Sequence, residues 1–238
     1  MPSEHTLYFD SDNYKLTGTL HLPDIQTPPV VIGCHGLLAN RHSLKQISLA
    51  QACNRIGIAY FRFDHRGCGD SEGQFIKVTS LAARVQDLYH AVGTMQHHSQ
   101  LGPLIALFGS SFGGTVVLDY AAEYPSPALV TYAAPVESAS INHTNIRDNH
   151  GQSPSSALLT DALEFDITPR LKSIKNILVS HSQDDETVPV THAREIYRLA
   201  DNPKKLVIFP GGDHRMSDTS HQQQFEPQFL EWVTAKAL

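Results

Sequence analysis

The chain has 238 residues, 41% of them apolar, and carries a net charge of −6. That length suits one large α/β domain with a substantial core, and the absence of a basic stripe argues against nucleic acid as a partner. No apolar run reaches the roughly 18 residues of a membrane span, and no basic-then-apolar leader opens the chain.

Residues 5–22 read as an antiparallel edge hairpin: Thr6 to Phe9, turn residues Ser11-Asp12-Asn13, then Leu16, Gly18, Leu20 and Leu22. Their alternation with polar residues predicts one solvated face. Pro23 to Pro29 is a loop, and Val30 to Cys34 a buried strand running into His35-Gly36-Leu37. Residues 43–56 carry Leu44, Ile47, Leu49, Ala52 and Ile56 at helical spacing, with Gly57 as C-cap. Ala59 to Phe63 is the next strand, residues 64–71 its loop, and 79–97 a helix on Leu81, Val85, Leu88, Ala91, Val92 and Met95.

Leu104 to Phe108 reads as a central strand buried on both faces. Gly109-Ser110-Ser111-Phe112-Gly113 follows, and after it Val116, Val117, Tyr120 and Ala121 recur at helical spacing. Strand, sharp turn and helix around G-x-S-x-G make a nucleophile elbow with Ser111 at its apex. The turn is so tight that Gly109 and Gly113 are required. The helix N-terminus then aims free N–H groups at whatever forms on Ser111.

Ala128 to Ala133 is another strand. Residues 137–170 are rich in Ser, Asn, His and Asp, with a helical stretch near 157–165, and read as a small cap insertion over the strand ends. Ile177 to Ser180, the helix 190–200, Leu206 to Phe209 and the helix 219–237 complete the pattern, with Phe225, Phe229, Trp232 and Val233 inward. Alternating strands and helices imply a mostly parallel, doubly wound sheet of about eight strands in a single domain, 1–238.

Sites in such sheets gather at the carboxyl ends of the strands. Four loops lie there. The His35-Gly36-Leu37 turn offers the N–H of Leu37 as an oxyanion donor beside that of Phe112. In the 64–71 loop, a bidentate Asp64–Arg66 pair is expected to fix the loop. Four acids compete to orient a histidine: Glu137, Asp184, Asp185 and Glu186. His214, after Gly211-Gly212-Asp213, comes late, which gives the chain order Ser, acid, His.

These motifs together resemble the α/β-hydrolase-fold serine hydrolases, and most of all the bacterial cytosolic esterases, feruloyl-esterase-like and S33-peptidase-like proteins. The likeness runs over residues 5–236. It rests on His35-Gly36, Asp64-x-Arg66-Gly67-x-Gly69-x-Ser71, Gly109-x-Ser111-x-Gly113-Gly114, the H-x-x-x-D-x-x-V-P form of 181–189, and Gly212-Asp213-His214. In the 181–189 motif the family's acid falls on Asp185, and Ser182 stands where glycine is usual.

The resemblance implies a Ser111–His214–Asp185 triad, an oxyanion hole from the Leu37 and Phe112 amides, and an acyl-enzyme. It implies no metal and no organic cofactor, and the 14 histidines show no metal-ligand spacing. The expected substrate is a small or medium carboxylic ester, aromatic acyl esters included. Ile141, Ile146, Leu158, Leu159, Leu163 and Phe165 of the insertion are candidate contacts. An amide or peptide hydrolase of the same fold, or a binding module without catalysis, are the alternatives. Cys34, Cys53 and Cys68 lack C-x-x-C spacing, which suggests reduced thiols in a cytoplasm. Monomer and homodimer both stay open.

Overall fold

The computed structural model describes residues 2–124, 126–145 and 163–235. The hairpin strands are β1 (Ser3–Ser11) and β2 (Tyr14–Leu22), followed by β3 (Val30–Cys34) and β4 (Ala59–Phe63). β5 (Leu104–Ser110), β6 (Leu129–Tyr132), β7 (Ile177–Ser182) and β8 (Lys204–Phe209) complete one eight-stranded sheet in the order β1-β2-β4-β3-β5-β6-β7-β8. β1 pairs antiparallel with β2, and β2 antiparallel with β4; every other pairing is parallel. The helices are α1 (Leu44–Arg55), the single turn α2 (Phe75–Val78), α3 (Leu81–Gln96), α4 (Phe112–Glu123), α5 (Thr191–Leu199) and α6 (Thr219–Thr234). Among the described residues, no helix is long and apolar enough to cross a membrane.

The sheet has an apolar layer on each face. Leu49, Ala50 and Cys53 of α1 meet Phe225, Phe229 and Val233 of α6 on one side. Leu88, Ala91 and Met95 of α3 pack with Val116, Val117 and Leu118 of α4 and with Ile196 of α5 on the other. Each fully buried Leu, Ile, Val, Phe or Met side chain among them contributes about 1.5–3 kcal/mol. Side chains of Ser43, Ser80 and Asp218 cap α1, α3 and α6, supplying an acceptor to first-turn N–H groups that have no partner inside a helix.

Two details depart from the sequence reading. β2 was expected to leave its polar face in water, yet Thr17, Thr19 and His21 are buried with Leu16 and Leu20. The 64–72 loop covers that face, with Thr17 N–H donating to Ser71 Oγ at 2.9 Å, and Asn54 of α1 donates to His21 O at 3.2 Å. The solvated alternation belongs to β1 alone. In α1 the inward face is Gln46, Leu49, Ala50, Ala52 and Cys53, whereas Leu44 is 86% exposed. Gln46 goes inward because Tyr60 Oη donates to its Oε1 at 2.7 Å.

Candidate active site

β5 ends at Ser110 and α4 begins at Phe112, so Ser111 alone makes the turn, with φ 54° and ψ −130°. A left-handed φ at a non-glycine residue costs on the order of 1–3 kcal/mol and persists only where the surroundings hold it. Here Ser111 N–H donates to Tyr132 O at 2.8 Å, and Gly114 N–H donates to Ser111 O at 2.7 Å. A Cβ on Gly109 would lie 2.3 Å from Gly113 O, the clash expected of a tight turn. On Gly113 it would lie 2.4 Å from Cys34 O, so that glycine serves the close passage of α4 over the end of β3.

Three segments far apart in sequence converge at this apex. Ser111 Oγ is 2.9 Å from His214 Nε2, and His214 Nδ1 is 2.8 Å and 3.0 Å from the two carboxylate oxygens of Asp185. The Nδ1 must carry the proton to reach a carboxylate, which leaves Nε2 as the acceptor for the serine hydroxyl. Asp185 has a fully buried side chain. Its Oδ1 also accepts the N–H groups of Thr187 and Val188 at 2.9 Å and 2.8 Å. Burial alone would raise this carboxyl, but hydrogen bonds from His181 and His214 outweigh it and hold the group well below the usual carboxylate range.

The other three acids stand elsewhere. Glu137 turns back to accept from Ala139 and Ser140 N–H, and Asp184 is exposed. Glu186 accepts the backbone N–H of His214 at 3.0 Å, bracing the residue but not its ring. Ser182 ends β7 with its Oγ 2.8 Å from Tyr132 Oη.

A Cβ on Gly36 would lie 3.4 Å from Ser111 Cβ, so the His35-Gly36-Leu37 turn does border the serine. Arg84 of α3, completely buried, donates to Gly36 O at 3.3 Å and to Leu37 O at 2.8 Å. His35 Nδ1 donates to Gly36 O at 2.7 Å. In a planar trans peptide the N–H points opposite to the C=O. Fastening the Gly36 carbonyl therefore places the Leu37 N–H on the opposite side of that peptide, and Leu37, Ser111 and Phe112 line one cavity together.

The 64–71 loop is fixed, but not by an Asp64–Arg66 pair. Asp64 is gripped by Arg41, through its main-chain N–H at 2.6 Å and its guanidinium, and accepts Asp70 N–H at 3.0 Å. Arg66 reaches Asp87 of α3, with Nε 2.8 Å from Oδ1, and Asp12 of the hairpin turn. The turn at His65–Cys68 closes immediately after Asp64 and carries Arg66 towards α3.

The apex opens into a cavity of about 880 Å³, a size suited to a small organic ligand. Ile141, Leu163 and Phe165 line it, the Phe165 ring 5.5 Å from that of Phe112. Ile146, Leu158, Leu159 and most of the expected 157–165 helix lie outside the described residues. The ends of the insertion are pinned together, Ser138 N–H donating to Phe165 O at 2.9 Å and Glu137 bridging Asp166.

Sequence reasoning missed three residues of this region: Arg84, His181 and Lys45. Arg84 and Asp87 lie on the α3 stripe that carries Leu88 and Ala91, and charged residues on an inward stripe were a usable signal. His181 Nε2 lies 3.1 Å from Asp185 Oδ2 and 2.9 Å from Val188 O; only its place four residues before Asp185 hinted at it. Lys45 Nζ donates to Ser110 Oγ at 3.1 Å, and no pattern in the sequence marks it.

The strand order, the elbow and the pocket at the carboxyl ends of the strands define an α/β-hydrolase of the serine hydrolase class. Residues 26–149 match the profile of the serine aminopeptidase S33 family, and the chain belongs to that family. It is 28% identical to YfhR of Escherichia coli over 73% of this chain, and spans 59% of that protein's length. It is 25% identical to the monoacylglycerol lipase of Mycolicibacterium smegmatis, covering 98% of this chain and 97% of that one. Among solved structures, Est1E from Butyrivibrio proteoclasticus bound to ferulic acid shares the fold with a TM-score of 0.75 at 20% identity, over 96% of this chain and 99% of that one.

Proposed function

We propose that this hydrolase cleaves small or medium carboxylic esters through an acyl-enzyme on Ser111. The observation that supports the reading most is the unbroken hydrogen-bond chain from Asp185 through His214 to Ser111. In this mechanism Ser111 Oγ attacks the acyl carbonyl while His214 Nε2 takes its proton. Asp185 holds the ring in the required tautomer and stabilises the imidazolium. The amides of Leu37 and Phe112 receive the oxyanion, each donor being worth about 3 kcal/mol of barrier. His214 then protonates the leaving alcohol and activates the water that frees the acid. The insertion 137–170 acts as a small cap over the single domain. Likeness to a monoacylglycerol lipase supports an ester over an amide.

The test is labelling with a fluorophosphonate probe, the adduct being located by mass spectrometry, beside Ser111→Ala and His214→Ala. An adduct on Ser111 that requires His214 is expected, together with turnover of esters but not of matched amides. Folded wild-type protein that takes no label would overturn the enzyme reading and favour a binding module of the same fold. Amides cleaved as fast as esters would favour the peptidase reading.

A further inference from the structure

We propose that Lys45 forms an anion subsite inside the reaction cavity, so that the preferred ester carries an ionised carboxyl group on its acyl or its alcohol arm. The proposal rests on the hydrolase reading of Ser111 and adds the charge of the substrate to it.

Lys45 occupies the first turn of α1, where the helix dipole disfavours a cation. Lys45 lines the same cavity as Ser111 and His214. Nζ donates to Ser110 Oγ, the residue before the nucleophile, and sits 3.8 Å from the centre of the Tyr132 ring. An ammonium has three N–H groups, and no carboxylate among the described residues forms an ion pair with this one.

The carboxylates and the phenol around it are already engaged, and Arg215 is a second cation lining the cavity. Asp185 accepts from His214, Thr187 and Val188, with His181 alongside. Asp213 accepts Ser217 N–H, and Glu186 accepts His214 N–H. Glu226 pairs with Arg55, and Tyr132 Oη donates to Asp213 O. Burial drives the Lys45 ammonium down to about 7 against the attraction of Asp185 and Asp213.

A cation without a counter-ion in a largely apolar cavity is an incomplete interaction. A ligand carboxylate completes it with charge-assisted hydrogen bonds. A neutral ester would leave the ammonium as it is, and a peptide α-ammonium would be repelled by it. The same residue thus selects for anionic esters and against free amino termini.

The experiment compares monomethyl adipate with methyl hexanoate for the acyl arm, and 4-acetoxybutanoate with butyl acetate for the alcohol arm. Wild-type protein, Lys45→Met and Lys45→Gln are assayed by acid release. The expected result is a kcat/KM ratio, anionic over neutral, of about tenfold or more for one arm in the wild type, collapsing towards one in both variants. Lys45→Gln can keep the Ser110 hydrogen bond without the charge and so separates charge from packing. Binding is read without turnover in Ser111→Ala by calorimetry with monomethyl adipate and methyl hexanoate. Because an anion favours the charged lysine, binding of the anionic ester at about pH 8 is expected to take up a proton, and to cease doing so when Lys45→Met is added.

Ratios at or below one for both arms, or ratios unmoved by the two variants, overturn the subsite. A wild type that labels no serine and turns over nothing sinks the hydrolase reading instead, and the calorimetric comparison still decides whether Lys45 binds an anion.

Discussion

Arg84 donates to the main-chain carbonyl of Leu37 at 2.8 Å from a completely buried position. The same guanidinium reaches Gly36 O, lies 3.3 Å from Cys68 Sγ, and sits 5.3 Å from the Phe112 ring. It forms no ion pair with a carboxylate among the described residues. A buried cation is costly without compensation, and here three acceptors compensate it, two of them carbonyls of the turn that borders Ser111. On the proposed mechanism Arg84 positions the Leu37 amide, whose peptide carries the Gly36 carbonyl. Arg84→Met is expected to lower kcat about tenfold to a hundredfold, less than outright loss of an oxyanion donor, with KM little changed. Steady-state kinetics on protein checked by circular dichroism reads this; an unchanged kcat would remove the role.

Asp185 and Asp184 are adjacent in sequence and opposite in setting. Asp185→Asn is expected to cost about 10⁴ in kcat, because the amide cannot hold the same histidine tautomer. Asp184, exposed to solvent, is expected to tolerate asparagine with activity within about twofold of the parent. Parallel assays of the two single variants discriminate the acids directly, and equal losses would contradict the assignment.

Acid should destabilise the fold before its carboxylates are protonated. Burial holds His21 and His65 down to about 4, from 6.5, and puts His35 well below its usual value. Between these limits the unfolded chain binds protons that the native state refuses, so stability falls as pH drops through the window from about 6.5 to about 4. Urea denaturation at several pH values should show this slope, and His65→Gln should flatten it. Asp87, which receives His65 and Arg66, adds a second loss at lower pH: burial opposes ionisation there, but its hydrogen bonds hold it at about 2.

Gly113 and Gly93 both lie in helices and differ in what surrounds them. A Cβ on Gly113 meets main-chain atoms of β3 at 2.4 Å, whereas one on Gly93 of α3 meets nothing within 4 Å. Gly113→Ala is expected to lower Tm and abolish fluorophosphonate labelling. Gly93→Ala is expected to raise stability by about 0.5–1 kcal/mol, alanine being the better helix former. Thermal melts of the two variants give the contrast.

The sequence by itself determined what is carried locally: the strand–Ser111–helix elbow, the order serine, acid, histidine, the alternation that makes a parallel sheet, and the apolar stripe of α6. The elbow, the alternation and the stripe depend on periodicity or on backbone demands within a few residues, and the order is read directly along the chain. The tertiary structure alone decided the partners of buried charges. Asp64 meets Arg41 rather than Arg66, Arg66 meets Asp87, and Glu186 holds only the main chain of His214, whose ring takes the Asp185 that the motif resemblance singles out. It also decided that β2 is covered on its polar face and that Lys45 enters the cavity without a counter-ion among the described residues. A hydrogen-bond partner depends on which distant segments the sheet order brings together, and burial depends on what packs above. Neither quantity is encoded in the spacing of residues along one segment.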